Sequence, residues 1–333
     1  MKSLTIITLS LFILLNSCKK ETINTTYDGQ VDFLPEKAAQ QLLDLKDKTI
    51  INGSVYLSKT SIENFTVLNT IKKINGDLVI SDTKITDLSF LSALVEVNGR
   101  IVINQNANLI STKGLEKVQK VKALAISGQN NTIDFNPIKN INVEEEINFS
   151  YLQNTTLPTF KNITNLSGEL ILENCEFNAM TFLPNLKTVK GYFLISNNPN
   201  FTSLVGLEQL ISTGGDFVIL GNNKLQTLEG LNNLQEVSKK FQIIGNKELK
   251  NISNLAKLNK AGIFMLGLSA CENLNGLENL TNSAGITILT NVKMVNFCGI
   301  KPLLLSNTII NNQFYIMGNL QNPTFAEIKS NCQ

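Results

Sequence analysis

The sequence predicts a mainly-β protein: a leucine-rich parallel β-solenoid of about twelve turns of about 23 residues each, with a short N-terminal capping helix. Three observations predict it. Apolar-x-apolar pairs recur at a fixed interval, Asn, Gly or Asp often follows close behind, and further apolar residues then fall at every third position or so.

The first turn carries Val55 and Leu57, then Ile62, Phe65, Leu68, Ile71 and Ile74. The second carries Leu78 and Ile80, then Ile85, Leu88, Leu91, Leu94 and Val97, each displaced by 23. Later strand anchors are expected at Ile103, Ile126, Phe149, Leu172, Ile195, Ile219, Ile243, Met265, Ile288 and Ile316, with an insertion around Ser306 to Asn312 before the last. An apolar-x-apolar pair makes a short strand with both side chains on one face. Asp82, Asn197, Gly221, Gly245 and Gly318 lie where the chain must then bend. Apolar residues every third position carry it round the far side as tight helical or irregular segments. Stacked turns form a parallel sheet, and each depends on its neighbours for stability.

The ends need separate elements. Met1-Lys2-Ser3, an apolar run from Leu4 to Leu15 and Asn16-Ser17-Cys18 read as a secretory leader, residues 1–17. Leu15-Asn16-Ser17-Cys18 resembles the lipobox of bacterial lipoproteins, which implies a diacylated Cys18 as the mature N-terminus. Lys19 after it resembles lipoproteins sent to the outer membrane, so a lipid-anchored, cell-surface location is expected, with a periplasm-facing one the alternative. Residues 18–34 are expected as a lipidated tether, flexible from Lys19 to Gln30, and 35–48 as the capping helix, with Ala38, Ala39, Leu42, Leu43 and Leu45 on its apolar face. The solenoid then spans 49–320. A C-terminal cap, 321–333, starts at Asn322-Pro323-Thr324.

Composition narrows the function. The chain has 29 basic and 27 acidic residues, too even for a nucleic-acid face. It has no histidine, which removes histidine acid/base catalysis and histidine metal ligation. Serines are plentiful but lack their usual base. Three before each anchor come Asp77, Arg100, Ala123, Glu146, Glu169, Tyr192, Asp216 and Lys240, alternating in sign rather than clustering as a polysaccharide lyase or hydrolase would need. Glu144-Glu145-Glu146 reads as a solvated edge. No enzyme, cofactor or metal is expected.

Residues 183–195, LPNLKTVKGYFLI, with Ile74-Asn75-Gly76-Asp77-Leu78-Val79-Ile80 and Gly215-Asp216-Phe217-Val218-Ile219, resemble the receptor L domain of growth-factor-receptor ectodomains. The resemblance covers roughly residues 50 to 320 and implies a right-handed solenoid used for binding. The chain lacks those receptors' cysteine-rich modules and kinase, so their signalling is not implied.

Of the remaining cysteines, Cys271 falls at an inward position and Cys175 on a bend, where it is expected to be exposed. Cys298 and Cys332 both lie on the far side of the last turns, and a disulfide between them is expected; two buried thiols are the alternative.

The outward sheet face is the candidate binding site. Just after the anchors come Ser58, Ser81, Asn104, Ser127, Ser150 and Ser196, then Leu220, Ile244, Leu266, Leu289 and Met317. Just before them come Leu194, Val218, Phe264 and Tyr315, interrupted by Gln242 and Thr287. If both columns face outward, the C-terminal half carries an apolar stripe, and such stripes usually mark contact sites. The alternative is that the residue after each anchor turns inward to begin a second strand. The expected function is a lipid-anchored cell-envelope binding module that presents this face to a protein or glycan, with self-association through it as a further expectation. A structural subunit of an outer-membrane assembly is the alternative, and a polysaccharide-active enzyme a third.

Overall fold

The computed structural model describes residues 25–33, 37–59, 65–129, 132–309 and 313–332. The leader, Cys18, Ile62 and Pro35 lie outside the described residues. Twelve anchor strands run from Val55–Ser58 to Phe314–Met317, bounding eleven complete turns, and every pair of neighbours is parallel. A second run of short strands precedes the anchors, beginning Ile50–Ile51, Lys73–Ile74 and Glu96–Val97. In four turns the two runs fuse, as in Lys120–Gln129 and Asn142–Leu152. Among the described residues, five short 3-10 segments, such as Thr66–Thr70 and Ser89–Leu91, carry the far side.

The interior is one continuous apolar column. Leu57, Ile80, Ile103, Ile126, Phe149, Leu172, Ile195, Ile219, Ile243 and Ile288 are fully buried. Two residues before the anchors, Phe193, Phe217 and Phe241 stack with centroids 4.3 and 5.0 Å apart, and Phe264 meets Phe241 edge-on at 5.7 Å. Neighbouring turns approach so closely that a Cβ on Gly191 would lie 2.6 Å from the carbonyl carbon of Gly168, which explains the glycine before this strand.

One anchor is corrected. Ile243 pairs with Leu266, and Leu266 with Ile288, so Leu266 rather than Met265 is the tenth anchor. The register shifts between Val237 and Lys240, where the preceding strand holds one extra residue. Ile263, Phe264, Met265 and Leu266 are all apolar, so alternation could not reveal the shift.

The expected tether also differs near its end. Thr26–Tyr27 pairs with Ile50–Ile51, and Val31–Asp32 with Val55–Tyr56, so both sheets start before the first full turn. Helix α1, Ala38–Asp44, lies over this end with Ala38 and Gln41 buried, while Ala39 and Leu43 are exposed rather than packed. Gln41 goes inward because the edge strand needs it: its Oε1 accepts the Asp32 N–H at 2.6 Å. At the other end α2, Lys301–Leu305, packs against α3, Phe325–Asn331. A reciprocal Thr324–Glu327 capping box starts α3, and Phe325 meets Phe314 edge-on at 5.4 Å. Cys298 and Cys332 are joined by a disulfide, with their Cα atoms 5.3 Å apart. No helix among the described residues is long and apolar enough to cross a membrane.

Candidate functional site

The bend two residues past each anchor sets up the outer face. All twelve bend residues have positive φ: Lys59, Asp82, Gln105, Gly128, Tyr151, Asn174, Asn197, Gly221, Gly245, Leu268, Thr290 and Gly318. This left-handed step reverses the chain after the residue following the anchor and turns the next residue inward.

That inward residue, three past the anchor, forms a buried polar ladder that the hydrophobic pattern did not reveal. It includes Thr83, Asn106, Cys175, Asn198, Asn222, Asn246, Ser269, Asn291 and Asn319. Asn222 Oδ1 accepts the Asn198 N–H at 3.0 Å, and its Nδ2 donates to Ile195 O at 2.9 Å. Asn246 does the same for Asn222 and Ile219, and Asn319 for Asn291 and Ile288. Cys175 takes a place in the ladder, donating Sγ–H to Phe149 O at 3.3 Å. It is therefore buried rather than exposed, and burial pushes its thiol pKa up to about 12. Asparagine three residues after an anchor was the available signal.

On either side of the anchors, most side chains face outward. Leu220, Tyr315 and Met317 are 39%, 53% and 67% exposed, and Leu194, Ile244 and Leu289 are half-buried. Val218 shares the outward column but is covered by its surroundings. Phe264 and Leu266 are not on this face. Both are core residues, displaced inward by the register shift, and Met265 and Gly267 take their outward places. The apolar stripe is thus interrupted at Gly267. The column before the anchors is apolar further back than expected, at Ile171, Ala125, Val102 and Val79, interrupted by Asn148.

Charged residues along the edge of this face pair from one turn to the next. Arg100 Nη2 lies 2.9 Å from Asp77 Oδ2. Burial raises the Asp77 pKa, but hydrogen bonds from the Arg100 N–H and guanidinium outweigh it and hold the carboxyl below its usual value. Lys73–Glu96, Lys120–Glu144 and Lys260–Glu236 close at 2.7–2.8 Å. Among the described residues, no three Asp, Glu, Cys or His side chains converge as a metal site would require.

A parallel coil with an apolar interior, polar inward rungs and an open outer sheet defines the leucine-rich β-solenoids. Within that class, residues 49–153 and 138–230 match the receptor L domain model, together more than half of the chain. The chain belongs to the receptor L domain family, whose domains bind ligands and are non-catalytic. No curated protein matches it.

Proposed function

We propose that this chain is a binding module of the bacterial cell envelope, held to the outer membrane by lipid on Cys18 and presenting its outer sheet face to a protein or glycan. The observation that carries the reading is the open sheet face on a receptor L domain coil, where Leu220, Tyr315 and Met317 hold apolar surface in water. Such exposure adds nothing to the core, whereas covering it on association releases water from apolar area.

The test pairs outward and inward substitutions in the mature chain, Lys19 to Gln333, used for affinity capture from envelope extract and host proteins. Leu220→Ser and Met317→Ser are expected to fold normally and weaken capture. Leu266→Ser is expected to cost about 3 kcal/mol or more of stability, because it empties a core site and buries a hydroxyl. Undiminished capture by both outward variants would assign the partner to another face. Cys18→Ser, followed by labelled-palmitate incorporation and membrane fractionation, tests the anchor; retained label would sink it.

A further inference from the structure

A hollow on the described surface lies away from the apolar stripe, where the outer face turns its corner in the N-terminal half. Asn104, Ser127 and Ser150 stand side by side in register just after their anchors. Beyond them come Gln105, Gly128 and Tyr151. Gly128 has no side chain between those two larger neighbours, and the notch it leaves has a volume of about 750 Å³. That falls within the usual size range of ligand pockets. A second hollow of about 500 Å³ shares Gln105 but is charged, lined by Lys59, Asp82 and Lys84, so the neutral lining ends at Gln105.

Three features limit what could lie there. The notch is lined by amides, hydroxyls and a phenol with no charged side chain, so an anionic ligand would find no cation. Its backbone is already used: the Gln105 N–H donates to Ser127 O at 3.0 Å, which leaves no open edge for a peptide strand. Its side chains, by contrast, retain hydrogen-bonding capacity. Ser127 donates to Asn104 Oδ1 at 2.9 Å, while Gln105, Ser150 and Tyr151 have no side-chain hydrogen-bond partner among the described residues.

Tyr151 supplies the remaining observation. It adopts φ +54° and is 56% exposed, an aromatic ring in a left-handed bend that most turns fill with small or polar residues. That conformation costs about 1–2 kcal/mol in a non-glycine residue, and an exposed ring recovers little of it through core packing. The ring instead borders the notch, giving a flat apolar surface with a hydroxyl at its tip. A neutral pyranose matches this chemistry: hydroxyls that both donate and accept, and a C–H face that packs on an aromatic ring.

We infer that the Gly128 notch is a subsite for a neutral oligosaccharide. The uncharged notch from Gln105 to Tyr151 spans two strand spacings, roughly 10 Å, the length of about two sugar units. The inference rests on the reading of this chain as a binding module and names a ligand class and place for it.

The test is titration calorimetry of the mature chain with maltohexaose, cellohexaose, laminarihexaose, mannohexaose and chitohexaose. At least one is expected to bind. Tyr151→Asn removes the ring while suiting the left-handed bend. Gly128→Asn fills the notch, its Cβ displacing only the flexible Gln105 side chain. Each is expected to weaken binding at least tenfold with an unchanged or raised melting temperature, and Val292→Ala, at an exposed residue outside both regions, is expected to leave it unaltered. No binding across the panel, or binding unchanged in both notch variants, overturns the inference. If the panel fails while envelope capture still depends on Leu220, only the sugar subsite falls; if capture also fails, the binding-module reading falls with it.

Discussion

Each asparagine of the buried ladder satisfies two backbone groups in the turn before it. Truncating Asn222 would strand the Asn198 N–H and the Ile195 carbonyl inside the coil, and an unpaired buried polar group costs about 1–3 kcal/mol. Asn222→Ala is therefore expected to destabilise the protein by about 2–4 kcal/mol in chemical denaturation. Its exposed neighbour provides the control: Asn223→Ala is expected to change stability by less than about 0.5 kcal/mol. Equal effects would show that the ladder contributes nothing. The left-handed bends allow a prediction of opposite sign. Leu268 holds φ +54° while 50% exposed, where asparagine serves in the turns at Asn174 and Asn197. Leu268→Asn is expected to add about 0.5–1 kcal/mol, read as a higher melting temperature.

Among the elements, the C-terminal cap carries the clearest expectation. The disulfide closes a separation of 34 residues, and chain entropy assigns such a loop about 3–4 kcal/mol. Cys332→Ser is expected to raise hydrogen exchange over α2 and α3 while leaving the early turns protected; uniform loss of protection would contradict a local cap. Repeating apolar spacing made the coil and most of its anchors legible, because a residue facing a continuous core has few substitutes. The register at Leu266 was not legible, since four consecutive apolar residues give no alternation to read. Neither was Gln41, a polar residue drawn inward by the backbone of an edge strand that reads as a tether. The candidate face was legible only where turns keep their register, which is why Leu220 and Met317 lie outside and Phe264 and Leu266 do not. The Gly128 notch was not legible either, because an absent side chain leaves no hydrophobic signal.

Across the whole molecule, the parallel coil makes stability a matter of nearest neighbours rather than of one compact centre. The outer surface is divided accordingly: an uncharged polar notch around Gly128 in the earlier turns and exposed apolar residues toward the last. These regions can be substituted separately, because turns far apart share no direct packing. The ladder also gives the coil a direction. Each asparagine serves the turn behind it, so a turn becomes complete only when its successor arrives, and Asn322 finishes the series by accepting the Asn319 N–H at 2.9 Å. A ribosome releases the early turns first, so the growing coil always trails one unsealed layer at its advancing end. A premature stop therefore does more harm than its missing length suggests: it leaves the last surviving turn permanently open to water.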